Sequence, residues 1–151
     1  MKTSLWALLS MACSDSLPVD SAPVDDPAAD ACAAHAQIGN LVVAQEAPDG
    51  GAALAFSDTP YEVSLLADAP GYLRLVVDDS ASALLFAGTA GVVSGLLDPD
   101  GSDQLPAPSA NAACPSDIPE QRALELTDGT WNLVVGPSDE ASLWLLLVEV
   151  F

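Results

Sequence analysis

The chain closes on Leu143-Trp-Leu-Leu-Leu-Val-Glu-Val-Phe151, where Glu149 alone is polar. Nine residues are too few for a membrane helix, which needs about 20 apolar residues. A strand with apolar side chains at both odd and even positions has both of its faces covered. The run therefore predicts a central strand in a layered sheet. Earlier runs are apolar on one face only. Tyr61, Val63 and Leu65 alternate with Glu62 and Ser64, and Leu73, Leu75 and Val77 alternate with Tyr72 and Arg74. Leu124 and Leu126 flank Glu125, while Trp131, Leu133 and Val135 share a face opposite Thr130 and Asn132. A period of two is the mark of strands with one buried face.

Strands are expected at Leu41 to Glu46, Ala53 to Ser57, Tyr61 to Ala67, Tyr72 to Asp78, Ala83 to Ala87, Val92 to Leu97, Arg122 to Thr127, Thr130 to Val135 and Leu143 to Val150. Between them stand turn residues, among them Pro48-Asp49-Gly50-Gly51, Ala69-Pro70-Gly71 and Asp128-Gly129. Short strands at this spacing predict an all-β chain forming a single antiparallel β-sandwich of about seven to nine strands. The helices of a parallel α/β fold are missing. Asp128-Gly129 suits a tight hairpin turn between the strands on either side. A short helical turn is expected around Asp30 to Gln37, stopped by Gly39. The connection from Asp98 to Gln121 contains five prolines and reads as irregular backbone.

The first 13 residues, MKTSLWALLSMAC, have one positive charge at Lys2, a compact apolar stretch and small residues before a cysteine. This is the layout of a secretory signal. It resembles a bacterial lipoprotein signal, with Leu9-Ser10-Met11-Ala12-Cys13 in the place of the lipobox. The resemblance implies that residues 1–12 are removed and that Cys13 is lipidated and becomes the anchored N-terminus. Residues 14–31 carry five Asp and three Pro, with no basic or aromatic residue. Such a segment buries too little to order itself and repels itself. It predicts a disordered acidic linker over 13–31, reaching up to roughly 50 Å from the lipid. The folded domain is then expected over 32–151. With Cys13 lipidated, Cys32 and Cys114 remain, and an even remainder in a secreted chain favours a disulfide. That bridge would pin the long proline-rich connection.

A second resemblance rests on the tail. Cys114-Pro115, Ile118-Pro119, a strand, Asp-Gly-Thr, a second strand, Gly136-Pro137 and a closing Leu/Val strand are similar to small β-sandwich modules of secreted bacterial proteins. These include pre-peptidase C-terminal-like domains and acidic lipoproteins. The resemblance implies an accessory or binding domain and transfers no site residue.

Catalytic constellations are sparse. The single histidine, His35, lies three residues from Cys32, but there is no Gly-x-Ser-x-Gly elbow, and a disulfide-bonded Cys32 has no thiolate. Cys32, His35 and Cys114 with a carboxylate are a zinc alternative, against which the disulfide explains the same cysteines more simply. Calcium is the one cofactor candidate. Asp98-Pro99-Asp100-Gly101-Ser102-Asp103 sets three carboxylates around a glycine turn, and calcium prefers hard oxygens on flexible loops. The alternative is a solvated acidic turn after a strand.

The 22 acidic residues against three basic ones give a net charge of −19. Binding of nucleic acid through phosphate contacts is thereby excluded, since it needs clustered Lys and Arg. Five of the acids lie in the linker and 17 in residues 32–151, which hold only Arg74 and Arg122 as cations. The expectation is a bacterial envelope protein, extracytoplasmic and held to a membrane by its lipid. Its β-domain would be structural or binding rather than catalytic, with a cation or a basic protein as the fitting partner.

Overall fold

The computed structural model describes residues 26–151. The signal over 1–12, the lipidation site Cys13 and the linker up to residue 25 lie outside the described residues. Helix α1 (Pro27–His35) opens the described part. The Asp26 carboxylate accepts a hydrogen bond from the Ala28 amide at 3.1 Å, and Pro27 takes the first helical position, where its missing N–H costs nothing. That pair starts the helix three residues before the expected Asp30. Residues 27–31, which composition alone gives to the linker, therefore belong to the folded unit.

Nine strands follow: β1 (Asn40–Val43), β2 (Ala52–Leu54), β3 (Tyr61–Ser64), β4 (Gly71–Val77), β5 (Ala81–Ala87), β6 (Val93–Leu97), β7 (Glu120–Leu126), β8 (Gly129–Val135) and β9 (Ser142–Val150). Each overlaps one of the nine apolar runs. They form two sheets, one of five strands in the order β1-β3-β9-β5-β7 and one of four in the order β2-β4-β8-β6. Odd-numbered strands make one sheet and even-numbered strands the other, so every connection carries the chain from sheet to sheet.

This alternation corrects two expectations. The sheets are mixed rather than antiparallel throughout, because β1 runs parallel to β3 and β2 parallel to β4. Parallel neighbours need a crossover between them. Here the crossover is the strand placed in the opposite sheet. The expected hairpin at Asp128-Gly129 is likewise absent: β7 pairs with β5, and β8 pairs with β4 and β6. Gly129 has φ +132°, and a Cβ added there would stand 2.6 Å from Pro99 Cγ. Aspartate followed by glycine marks a sharp reversal but leaves open whether the next strand stays in the same sheet.

The main interior cluster draws on every strand from β2 to β9. Val63, Leu85, Leu124 and Leu145 come from the five-stranded sheet, and Leu54, Leu75, Leu96 and Leu133 come from the four-stranded one. β9 is central and buried on both faces, as its composition requires. Leu143, Leu145 and Leu147 enter the main cluster, while Leu146 faces the other way into a second cluster with Phe86, Ile118, Ala31 and Ala34. The second cluster exists because α1 and the 106–119 connection lie over the outer face of the sheet.

A disulfide between Cys32 and Cys114 ties those two covers together, with 6.0 Å between Cα atoms and a sequence separation of 82. In the chain-entropy account, closing a loop of that length stabilises by about 4 to 5 kcal/mol. Asn111, fully buried, makes a second tie: its amide donates to the Ala28 carbonyl at 3.0 Å, and its oxygen accepts from the Ala113 amide at 2.8 Å. Truncating β9 at its inner face tests this packing. Leu145→Ala is expected to lose about 3 kcal/mol of stability in urea denaturation, and Leu41→Ala, on exposed β1, less than about 0.5 kcal/mol.

Candidate functional site

The turn after β6 is built by its own carboxylates. The Asp98 carboxylate accepts hydrogen bonds from the Ser102 amide at 2.8 Å, the Asp100 amide at 3.0 Å and the Gln104 side-chain amide at 3.1 Å. Gly101 sits at φ +85°, where a side chain would be strained, and its amide donates to the Asp98 carbonyl. Asp103 turns away from the loop's open side and accepts from the Leu96 amide at 3.0 Å and the Leu105 amide at 3.1 Å. That pairing holds 103–105 along the edge of β6, with Leu97 and Asp103 in a single antiparallel bridge.

These bonds stabilise the charged forms of both groups. The Ser102 amide foremost, with Gln104 and the amides of Asp100 and Gly101, holds Asp98 below the usual carboxylate range. Asp103 is lowered chiefly by the Leu96 and Leu105 amides, with a further contribution from the Arg122 charge.

The same turn contributes to a cleft of about 570 Å³ whose lining includes Asp98, Asp100, Glu125, Asp128 and Trp131. Pro99 against Gly129 brings the two acidic turns together. The Trp131 indole donates to the Thr127 carbonyl at 2.9 Å, which fixes the ring beside Asp128. Glu125 projects from β7 and accepts from the Ser82 hydroxyl at 2.7 Å. Among the described residues, no basic residue lines this cleft. Nearby Arg122 is buried and engaged elsewhere: its Nε lies 2.7 Å from Glu120 Oε1, and it also donates to the Pro106 carbonyl. Glu120 is completed by the Gly91 amide at 2.8 Å. Arg122 is thus paired with a carboxylate of its own strand rather than with one of the cleft acids.

Of the three aspartates singled out for calcium, two line the cleft and Asp103 does not. Among the described residues no three of His, Cys, Asp and Glu gather into a group able to hold a metal ion. Backbone amides take Oδ1 of both Asp98 and Asp103, and the Gln104 side chain takes Oδ2 of Asp98, so these oxygens serve the turn itself. Glu125 and Asp128 reach the cleft from 25 or more positions beyond Asp100, and the sequence carries no signal that joins them to Asp98.

The other pair of interest in the sequence is chemically closed. Cys32 and Cys114 are bonded to each other, so neither serves as thiolate nucleophile or zinc ligand. His35 packs on Trp144 with ring centroids 4.9 Å apart, beside the second cluster. A second cleft, of about 700 Å³, runs between α1 and β9 and is lined by Asp30, Asp58 and Glu149 together with Leu146, Val148 and Phe151. Compared with known proteins, the chain matches no family model and no curated relative.

The lowered carboxylates predict an acid-sensitive turn. A carboxylate with a depressed folded pKa stabilises the fold above its unfolded value of about 3.9 and loses that contribution as pH falls through the lower folded value. The variant carrying Asp98→Asn and Asp103→Asn is therefore expected to be less stable than the native chain at pH 7. Its stability should also change less between about pH 4 and pH 2. Denaturant midpoints measured across that range check both.

Proposed function

We propose that this chain is a lipid-anchored bacterial envelope protein whose two sheets form a β-sandwich with a non-catalytic, extracytoplasmic binding role. The observation that carries this reading is the disulfide between Cys32 and Cys114. Structural disulfides persist in oxidising compartments outside the cytoplasm. It uses both cysteines left after Cys13, the residue that the lipobox-like Leu9-Ser10-Met11-Ala12-Cys13 offers for lipid. The acidic linker that follows would hold the domain off the membrane surface. The similarity of the tail to secreted bacterial β-sandwich modules supports the same reading. In a bacterial host, the native chain is expected to incorporate labelled palmitate and to fractionate with membranes, whereas Cys13→Ser does neither; a label retained in Cys13→Ser overturns the anchor.

The cleft favours a second, compatible reading: capture of a cationic ligand, with a basic side chain of a partner protein fitting better than a bare ion. Four acidic residues from two turns and β7 line it, and among the described residues no basic residue does. A Lys-rich peptide is expected to bind the native chain less tightly as salt rises. Binding should fall at least tenfold when Asp100, Glu125 and Asp128 are changed to their amides, as isothermal titration would measure. Calcium alone would raise the melting temperature at millimolar concentration, and lose that effect in Asp100→Asn, only if the ion is the ligand.

A further inference from the structure

β1 is the outermost described strand of the five-stranded sheet, and although short it lacks the charges and prolines that often protect such an edge. Residues Ala36 to Gln45, AQIGNLVVAQ, contain no charge and no proline in a chain with 22 acids. Ile38 is 96% exposed, Leu41 81% and Val43 52%. Leu41 and Val43 share one face of the strand, in register with Glu62 and Ser64 of β3.

The backbone of β1 is open on its far side. The Asn40 amide donates to the Pro60 carbonyl at 2.8 Å and the Ala44 amide to the Ser64 carbonyl at 3.0 Å. Alternation along the ladder then turns the amides and carbonyls of Leu41 and Val43 away from β3. The Val43 carbonyl accepts only an exposed bond from the Gln45 side chain at 3.2 Å, which another donor can replace.

We propose that β1 pairs antiparallel with β1 of a second copy about a two-fold axis, joining the two five-stranded sheets edge to edge. The axis passes at Val42. Leu41 then stands opposite the partner's Val43, and Val43 opposite the partner's Leu41, both in the hydrogen-bonded positions that their open backbone groups require. A two-fold interface needs a self-complementary patch, and this edge supplies one in both hydrogen bonding and apolar side chains. Charge selects the occupant. A basic partner finds no carboxylate within Ala36 to Gln45, whereas a second copy sets an uncharged edge on an uncharged edge. The remaining charges of the two copies repel across solvent, and salt screens that repulsion over about 8 Å at physiological ionic strength. The pairing therefore tightens as salt rises, opposite to the capture of a cationic ligand.

Sedimentation equilibrium tests this on the full chain carrying Cys13→Ser, so that no lipid or free thiol joins copies. The mass is expected to rise with protein concentration from one chain toward two, and to do so at lower concentration as sodium chloride increases. The variant that also carries Leu41→Lys and Val43→Lys is expected to remain a monomer with an unchanged melting temperature, even though added lysines reduce the repulsion between copies. Val76→Lys, on an exposed position of the other sheet, should dimerise as the parent does. A monomer at every concentration and salt overturns the proposal, as does a dimer that survives the two lysines or weakens with salt. A monomer whose Leu41 and Val43 amides are nevertheless protected from hydrogen exchange overturns it in favour of cover by residues 1–25 of the same chain.

Discussion

Burial of β9 on both faces is the constraint on which the rest of the structure depends. Its inner side chains, Leu143, Leu145 and Leu147, enter the main interior cluster, to which both sheets contribute. Its outer ones, Trp144, Leu146 and Val148, would face water if the five-stranded sheet had no cover. The cover is slight: α1 contributes only Ala31 and Ala34 as buried residues, and the 106–119 connection adds Ile118. So little apolar area gives a short helix weak grounds to stay docked, since isolated helices of this length are marginal in water. The disulfide and Asn111 supply the missing constraint by joining helix to connection directly. The Cys32 bridge thus holds the cover that the outer face of the last strand requires.

The alternation of strands between sheets gives the molecule its second character. Because odd and even strands never pair, each hydrogen-bonded ladder joins segments distant in sequence, β3 with β9 and β4 with β8 among them. Loop-closure entropy must be overcome before any ladder is rewarded, which places this chain among slow-folding topologies. The same topology makes the acidic cleft. The turn after β6 and the crossing from β7 to β8 meet because both swing over the same end of the two layers, where Pro99 rests on Gly129.

Some of the site was within reach of the sequence and some was not. The phase of β7 is a case of the first kind. With Leu124 and Leu126 inward, a period of two puts Arg122 and Glu120 inward as well, and they form the buried pair. Asp26-Pro27 likewise signals a helix start at its own position. Asn111 is a case of the second kind: nothing in its surroundings, a proline-rich irregular stretch, distinguishes a fully buried amide from a solvated one. Glu125 and Asp128 carry no local mark of sharing a cleft with Asp98, because that proximity is made by the crossing between sheets. The bare edge at β1 has a plain signal, ten residues without charge in an acidic chain, and its meaning emerges only once the strand is placed outermost.

By itself the sequence determined the nine strands, the buried phase of the alternating ones, the central place of the last, and the surplus of acid over base. These follow from local physics: hydrophobic period, turn residues and composition act within a few positions of one another. Tertiary structure alone decided that successive strands change sheets, that two neighbouring pairs run parallel, and that acids from separate turns line one cleft. A turn residue specifies that the chain reverses. The plane in which it reverses is set by which distant strand offers the complementary edge, and that choice is made by the packing of the whole interior.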